Sequence, residues 1–427
     1  MKRKNSKLWP NLLCGVKKGE FSNKTEAQSF DCRLDLGDVH KHNTTMPMHK
    51  GLLPREGFRM DTVMKIISNT ALNPSFLLPI ILLARYTKKG EDLSILHSKA
   101  FSRVKTLFWI GLVRKISGYF SRQVLNNHVS DKYDWSKEIV LITGGAGGIG
   151  GHVVQLLAER GITVVVLDIQ PLTYAAADTV HFFHCDITSP ERIAAAAKEI
   201  RAKVGEPTVL INNAGVARGR SILEASERDV RFTFDVNTLA HYWIAHEFLP
   251  ALVRADHGMV VTVASYAAWI TVPDMVDYAS TKAAAHAFHE GLTAELATRY
   301  NAPRVRTVVV NQGYTRTALF TGYRNDAPFL VPTLYPETVA EAIVKQVLSG
   351  SSGQLILPAF GATLSALAAM PAWYQYRMRK RGQAIMTNFS GRQVVKDLDR
   401  FYADKEKEKD KGGGAVEEST VFVADRT

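Results

Sequence analysis

Cysteine is scarce: Cys14, Cys32 and Cys185 are the only three in 427 residues, too few and too scattered for a disulfide framework or a zinc site. The histidines most suggestive of chemistry, His257, His286 and His289, lack the spacing of metal ligands, so no metal is expected. No stretch reaches the roughly 18–20 uninterrupted apolar residues of a simple membrane-spanning helix. Most of the chain also lacks charge imbalance. Lys and Arg outnumber Asp and Glu by 53 to 41, but the whole excess of +12 falls within residues 1–135, which carry 23 basic and 11 acidic side chains. Residues 136–427 are neutral. A neutral body argues against a nucleic-acid-binding core, which needs clustered cations to neutralise phosphates.

Residues 1–59 are polar and mixed in charge, with no apolar stretch after the opening basic cluster. They are expected to be a disordered basic segment and not a signal peptide. Residues 60–135 hold two short apolar runs, 76–84 (broken by Pro79) and 106–113. Arg85, Lys88 and Lys89 flank the first, and Arg103, Lys105, Arg114 and Lys115 the second. Short apolar segments with cations beside them suit insertion into one leaflet of an anionic membrane. The competing reading makes them core helices packed on the main body.

From residue 136 the texture changes. Apolar runs of strand length occur at 138–143, 163–167, 181–185, 208–212, 259–265, 305–310 and 354–358, separated by helical stretches such as 152–160, 191–204 and 283–300. Continuous β-branched and aliphatic runs mark strands buried on both faces. The alternation predicts an α/β domain over 136–360: a Rossmann-type, doubly wound parallel sheet of about seven strands with helices on both faces. A helical extension is expected over 361–402, where Trp373 and Tyr376 precede a basic cluster, and a disordered tail over 403–427.

The first strand runs into Thr143-Gly144-Gly145-Ala146-Gly147-Gly148-Ile149-Gly150 and then a helix. Such a loop brings backbone amides and a helix N-terminus to a pyrophosphate. The second strand ends at Asp168, where a carboxylate accepts hydrogen bonds from ribose hydroxyls and repels a 2′-phosphate. The loop contains no Lys or Arg, and neither Ile169 nor Gln170 is basic, so the expected cofactor is NAD(H) and not NADP(H). Further on, Tyr278 and Lys282 stand four apart on one face of a helix. An ammonium beside a phenol favours the phenolate, and Ser265 closes the fifth strand thirteen residues earlier.

These motifs resemble the short-chain dehydrogenase/reductase family. Its glycine loop is matched by Thr143, Gly144, Gly148 and Gly150, its Asn-Asn-Ala-Gly by Asn212, Asn213, Ala214 and Gly215, and its adenine-contacting Asp by Asp186. The resemblance implies that Tyr278 is the general acid/base, that Ser265 hydrogen-bonds the reacting oxygen, and that Lys282 lowers the Tyr278 pKa and holds the nicotinamide ribose. It also implies that Asn237 maintains a water-linked proton path. The cofactor set it implies is Gly144, Gly148, Ile149, Gly150, Asp168, Asp186, Asn213, Ala214, Gly215, Tyr278, Lys282 and Thr317. Gly313 and Thr317 keep the family's spacing, but Gln312 replaces its proline. Residues 314–335 and the stretch Trp269, Ile270, Val272, Met275 are rich in aromatic and aliphatic side chains, which suggests an apolar pocket. The basic, apolar N-terminal segment, the core and the apolar-to-basic stretch at 364–381 together resemble the retinol and hydroxysteroid dehydrogenase branch. The expectation is therefore an NAD-dependent oxidoreductase of a lipophilic alcohol or carbonyl (retinoid, steroid or long-chain lipid alcohol) on the cytoplasmic face of the endoplasmic reticulum membrane or a lipid droplet. A homodimer is compatible with the resemblance. Two alternatives stay open: an NADPH-linked ketoacyl or acyl-lipid reductase, and a non-catalytic dinucleotide-binding membrane protein.

Overall fold

The computed structural model describes residues 48–51 and 53–410. Four helices come first: α1 (Met60–Asn69), α2 (Pro74–Tyr86), α3 (Lys88–Leu96) and α4 (Ser98–Leu125). The α/β body follows as β1 (Ile139–Thr143), α5 (Gly148–Ala158), β2 (Thr163–Asp168), β3 (Val180–His184), α6 (Pro190–Lys203), β4 (Val209–Asn212), α7 (Glu227–Phe234), α8 (Ala240–Ala255), β5 (Met259–Val263), α9 (Val276–Thr298), β6 (Arg306–Gln312), α10 (Pro336–Leu348) and β7 (Gly353–Leu357). A 3₁₀ segment (Ala359–Ala369) and helices α11 (Ala372–Arg381), α12 (Gln383–Met386) and α13 (Leu398–Asp410) complete it.

All seven strands are parallel, in the order β3-β2-β1-β4-β5-β6-β7. Successive side chains of a strand point to opposite faces, so each strand feeds two cores. Val140 and Ile142 of β1 pack with Val153 and Leu157 of α5 and with Val339 and Val344 of α10. Leu141 between them faces the other side, among Ile193 and Ile200 of α6, Phe248 of α8 and Leu292 of α9. Burial on both sides explains why the strands read as unbroken apolar runs. The chain winds outward in both directions from β1 and β4, and the crevice at their carboxyl ends is where such a sheet takes its ligand.

The termini differ from expectation. Order begins before residue 60: Arg55 pairs with the buried carboxylate of Glu341 at 2.5 Å, and Glu56 accepts from the Tyr335 amide at 3.1 Å. The expectation of disorder over residues 1–47 lies outside the described residues. The tail expected from 403 is also corrected, because α13 runs through to Asp410. It docks by Phe401, whose ring meets Phe232 edge-on at 5.4 Å, and by Tyr402, which donates to Asp235 at 2.8 Å. Residues 411–427 lie outside the description.

Helices α1–α4 are not the core helices of the competing reading. Phe76, Leu83, Trp109 and Val113 are 56%, 62%, 61% and 63% exposed. Their ends are tied to the body: Asp61 accepts from the amides of Ala359 and Phe360, and Arg306 donates to the carbonyls of Asn126 and Val129. The absent side chain of Gly111 lets α4 approach the Leu72 carbonyl, where a Cβ would lie 2.4 Å away. No single helix among the described residues is long and apolar enough to cross a membrane. Helices α1 and α2, bent by 41°, have the length and composition only as a pair.

Candidate active site

The crevice is a cavity of about 750 Å³ running from the glycine loop to the 3₁₀ segment and α11. At one end, Gly144 and Gly148 take φ of +68° and +57°, conformations that only glycine adopts without strain. Thr173 and Tyr174 hold the loop from outside, donating to the carbonyls of Ala146 (2.7 Å) and Gly145 (2.8 Å). The cradle fits a dinucleotide. A Cβ at Gly148 would face open space up to Thr317 at 4.0 Å across the cleft, whereas one at Gly150 would lie 2.2 Å from the Gly144 carbonyl oxygen. The first glycine keeps room for a ligand, and the second lets α5 pack against the loop.

Asn213 and Ala214 brace this loop. The Thr143 hydroxyl accepts from both of their amides at 3.1 Å, and the Asn213 side chain donates to the carbonyls of Thr143 and Gly144. Asp168 accepts from the amides of Ala146 and Gln170, both at 3.0 Å. Burial raises its carboxyl pKa, and these backbone bonds only partly offset the rise. Asp186 accepts from Thr188 and pairs with Lys405 of α13 at 3.1 Å.

At the other end, Ser265 stands just beyond β5, while Tyr278 and Lys282 project from the first turns of α9. Both α9 residues are buried, 4% and 3% exposed. The Lys282 ammonium donates to the Val263 carbonyl at 2.9 Å and lies 5.8 Å from the Tyr278 ring centre. Burial pushes Lys282 down to about 8. It pushes Tyr278 up to about 12, with the Ser265 hydroxyl acting in the opposite direction. Desolvation is the largest influence on the phenol, and the same burial makes the neighbouring ammonium easier to discharge.

Asn237 is not an ordinary mid-helix residue. It lies in a single π-helical turn, Asp235–Leu239, between α7 and α8. Such turns recur at functional sites. Its fully buried side chain accepts from the Val216 amide at 2.8 Å and donates to the Val216 carbonyl at 2.9 Å and the Thr281 hydroxyl at 3.0 Å. It therefore fixes the backbone just past Gly215 against α9.

The remaining wall is apolar: Ile270, Val272, Met275, Leu319, Phe320 and Leu364 line it. Trp269 does not, since it stacks on Tyr266 with ring centres 5.7 Å apart. Of the aromatic-rich loop, Tyr314, Phe320 and Tyr323 face the cavity, Leu334 enters the body core, and Phe329 and Leu330 are exposed. Gln312 ends β6 with its side-chain oxygen buried and unpartnered, where the family has a proline.

Residues 138–328 match the family model described as short chain dehydrogenase. A relative named Dehydrogenase RED2, from Cochliobolus heterostrophus, is 43% identical over 49% of this chain and 82% of its own length. The chain belongs to the short-chain dehydrogenase/reductase family. Estradiol 17-beta-dehydrogenase 11 of Homo sapiens is 35% identical over 54% of this chain and 78% of its own. The chain resembles the retinol and hydroxysteroid dehydrogenase branch. A short chain dehydrogenase from Burkholderia cenocepacia, solved in complex with NADP, superposes with a TM-score of 0.50 at 26% identity, covering 58% of this chain and 99% of that one. As a member of the family the chain is an oxidoreductase whose cofactor is a nicotinamide dinucleotide.

Arg392, which lines the cleft, and Lys405, which pairs with the lining residue Asp186, escaped sequence reasoning. Arg392 and Lys405 lie far along the chain, and no local pattern ties them to a cofactor site. The structure sets Arg392 at 3.0 Å from the Gln170 side chain and Lys405 on Asp186.

Gly150→Ala should weaken NADH binding by at least about tenfold while far-UV circular dichroism stays native, because the added methyl must displace the loop. Fluorescence titration with NADH checks it, and an unchanged affinity would show that this packing is not needed for the cradle.

Proposed function

We propose that this chain is an NAD(H)-dependent dehydrogenase of lipophilic alcohols, with Tyr278 moving the proton. The observation that carries the reading is the placement of Ser265, Tyr278 and Lys282 in one cleft whose far wall is aliphatic and aromatic. The apolar lining of the substrate end, Ile270, Val272, Met275, Leu319, Phe320 and Leu364, suits a retinoid, steroid or long-chain alcohol better than a small polyol. When bound, the cofactor supplies the hydride acceptor or donor. The protein positions the alcohol and handles its proton: Ser265 hydrogen-bonds the substrate oxygen, and the Tyr278 hydroxyl exchanges a proton with it. Lys282 keeps a positive charge beside the phenol. Asp168, a carboxylate with no cation in its own loop, supports NAD(H).

Tyr278→Phe should lower turnover by about 10²–10⁴-fold while leaving NADH affinity almost unchanged, since only the proton donor is lost. Steady-state rates on a panel of retinoids, steroids and long-chain alcohols with both cofactors, alongside NADH titration, test this. Wild-type turnover by the variant would remove Tyr278 from the chemistry.

The direction of the pKa shifts gives a second test. Burial keeps the Tyr278 proton on the phenol at neutral pH, so carbonyl reduction has its donor ready, whereas alcohol oxidation must first lose that proton. Oxidation rates should therefore climb from neutral pH upward. Reduction should be flat and then decline above about pH 8, where Lys282 loses its charge. Parallel profiles in the two directions would contradict this assignment.

We further propose that helices α1–α4 attach the enzyme to the cytoplasmic face of the endoplasmic reticulum membrane or to a lipid droplet. Support comes from the +12 confined to residues 1–135 and from exposed Phe76, Leu83, Trp109 and Val113 with cations beside them. Each cation near an anionic leaflet contributes about 1 kcal/mol, and buried apolar side chains add to that. The full chain should stay with membranes or lipid droplets through a high-salt wash and leave them in detergent. Recovery in the soluble fraction at physiological salt would defeat attachment and leave the dehydrogenase reading standing.

A further inference from the structure

The C-terminal extension crosses the adenosine end of the cleft and delivers a cation there. Between α12 and α13 the chain is pinned on both sides of Arg392. The Ser390 amide donates to the Thr321 carbonyl at 2.9 Å, and the Gln393 side chain donates to the Ala217 carbonyl at 2.9 Å. Arg218 in turn donates to the Gln393 side chain at 2.8 Å and to the Val395 carbonyl at 3.1 Å. The Arg392 amide itself donates to the Ala318 carbonyl at 2.8 Å.

The Arg392 guanidinium is exposed and lines the same cavity as Asp168, Ile169 and Gln170. It donates to the Gln170 side-chain oxygen at 3.0 Å and makes no ion pair with a carboxylate among the described residues. Gln170 donates its own amide to Asp168, the carboxylate expected to receive the ribose hydroxyls, and Arg392 is close enough to lower the Asp168 pKa. A guanidinium bonded only to a neutral amide gains by exchanging it for a phosphate, which it meets with two charge-assisted bonds.

We propose that Arg392 is a 2′-phosphate-binding residue supplied by the C-terminal extension, so that discrimination between NAD(H) and NADP(H) is a balance between Asp168 and Arg392. The inference rests on reading the cleft as a dinucleotide site. Asp168 repels the 2′-phosphate and Arg392 attracts it, which leaves a narrower preference for NAD(H) than the carboxylate alone would impose. Arg392 recognises no other part of the cofactor in this scheme, so its effect should be confined to ligands carrying the phosphate.

The test uses the full chain in detergent, titrated with NADH and NADPH by nicotinamide fluorescence and with 5′-AMP and 2′,5′-ADP as competitors. Arg392 is exposed, so its replacement leaves the fold intact. Arg392→Gln should weaken NADPH and 2′,5′-ADP by about tenfold and shift NADH and 5′-AMP by less than about twofold, and Arg392→Lys should restore part of the loss. Asp168→Ser should tighten NADPH by about tenfold, and in the double variant that gain should largely vanish. Equal changes for NADH and NADPH in Arg392→Gln, or a gain from Asp168→Ser that survives the loss of Arg392, would overturn the proposal. Failure of the wild-type chain to bind either dinucleotide would instead overturn the reading of the cleft on which it rests.

Discussion

The cleft is organised around one buried cation. The Lys282 ammonium sits 3% exposed, at the seam between α9 and the carboxyl end of β5, and the Val263 carbonyl is its hydrogen-bonding partner. A desolvated charge of this kind is costly unless its surroundings are polar and fixed. The neighbours fit that demand. Asn237 ties the β4 loop to Thr281, the residue preceding Lys282, and the π-helical turn that carries Asn237 allows its side chain to face inward. His241, one turn further on, is 2% exposed and is pushed down to about 3 by burial and by Lys282 itself, so it stays neutral. Lys282 therefore keeps its charge without a second cation against it.

The position of that lysine depends on the sheet. Two windings diverge from β1 and β4, and the loops at their carboxyl ends are stitched together by Thr143, Asn213 and Ala214. The glycine loop, the Asn-Asn-Ala-Gly turn and the start of α9 thus occupy one rigid edge. Asn213 does more bracing than its place in a binding motif suggests, since its side chain bonds only the Thr143 and Gly144 carbonyls among the described residues. The apolar wall of the cleft and the exposed helices α1–α4 lie outside this edge.

What the sequence revealed divides along the same line. Strands buried on both faces, the glycine turn, and Tyr278 with Lys282 at helical spacing are local patterns, and all seven strands lie within two residues of where their apolar runs placed them. Quantities set by tertiary burial were hidden. The proximity of Lys282 to Tyr278 was legible, but not that burial raises the phenol's pKa. Aromatic richness marked the 314–335 loop, yet only packing separates Phe320 in the cavity from Leu334 in the core. The tail beyond 403 is so charged that its composition alone favours solvation. A few residues, Phe401, Tyr402 and Lys405, dock its first turns against Phe232, Asp235 and Asp186.

Helix α1 and the 3₁₀ segment meet beside the apolar wall of the cavity. Asp61 of α1 holds the backbone at Ala359 and Phe360, where the 3₁₀ segment begins, and Leu364 of that segment lines the cavity. Met378 and Arg381 of α11 border the same region, while Trp373 and Tyr376 of α11 are 71% and 62% exposed. The aliphatic wall is therefore continuous with elements that present aromatic and cationic side chains to the outside, the chemistry of an interfacial belt. If α1–α4 lie on lipid as proposed, the Asp61 contacts couple that attachment to the wall beside which a lipophilic alcohol would enter. The polar end lies at the glycine loop, and the segment that carries Arg392 lines it. The cleft thus has a polar end at the glycine loop and an apolar end lined by Leu319, Phe320 and Leu364, to which the C-terminal extension contributes.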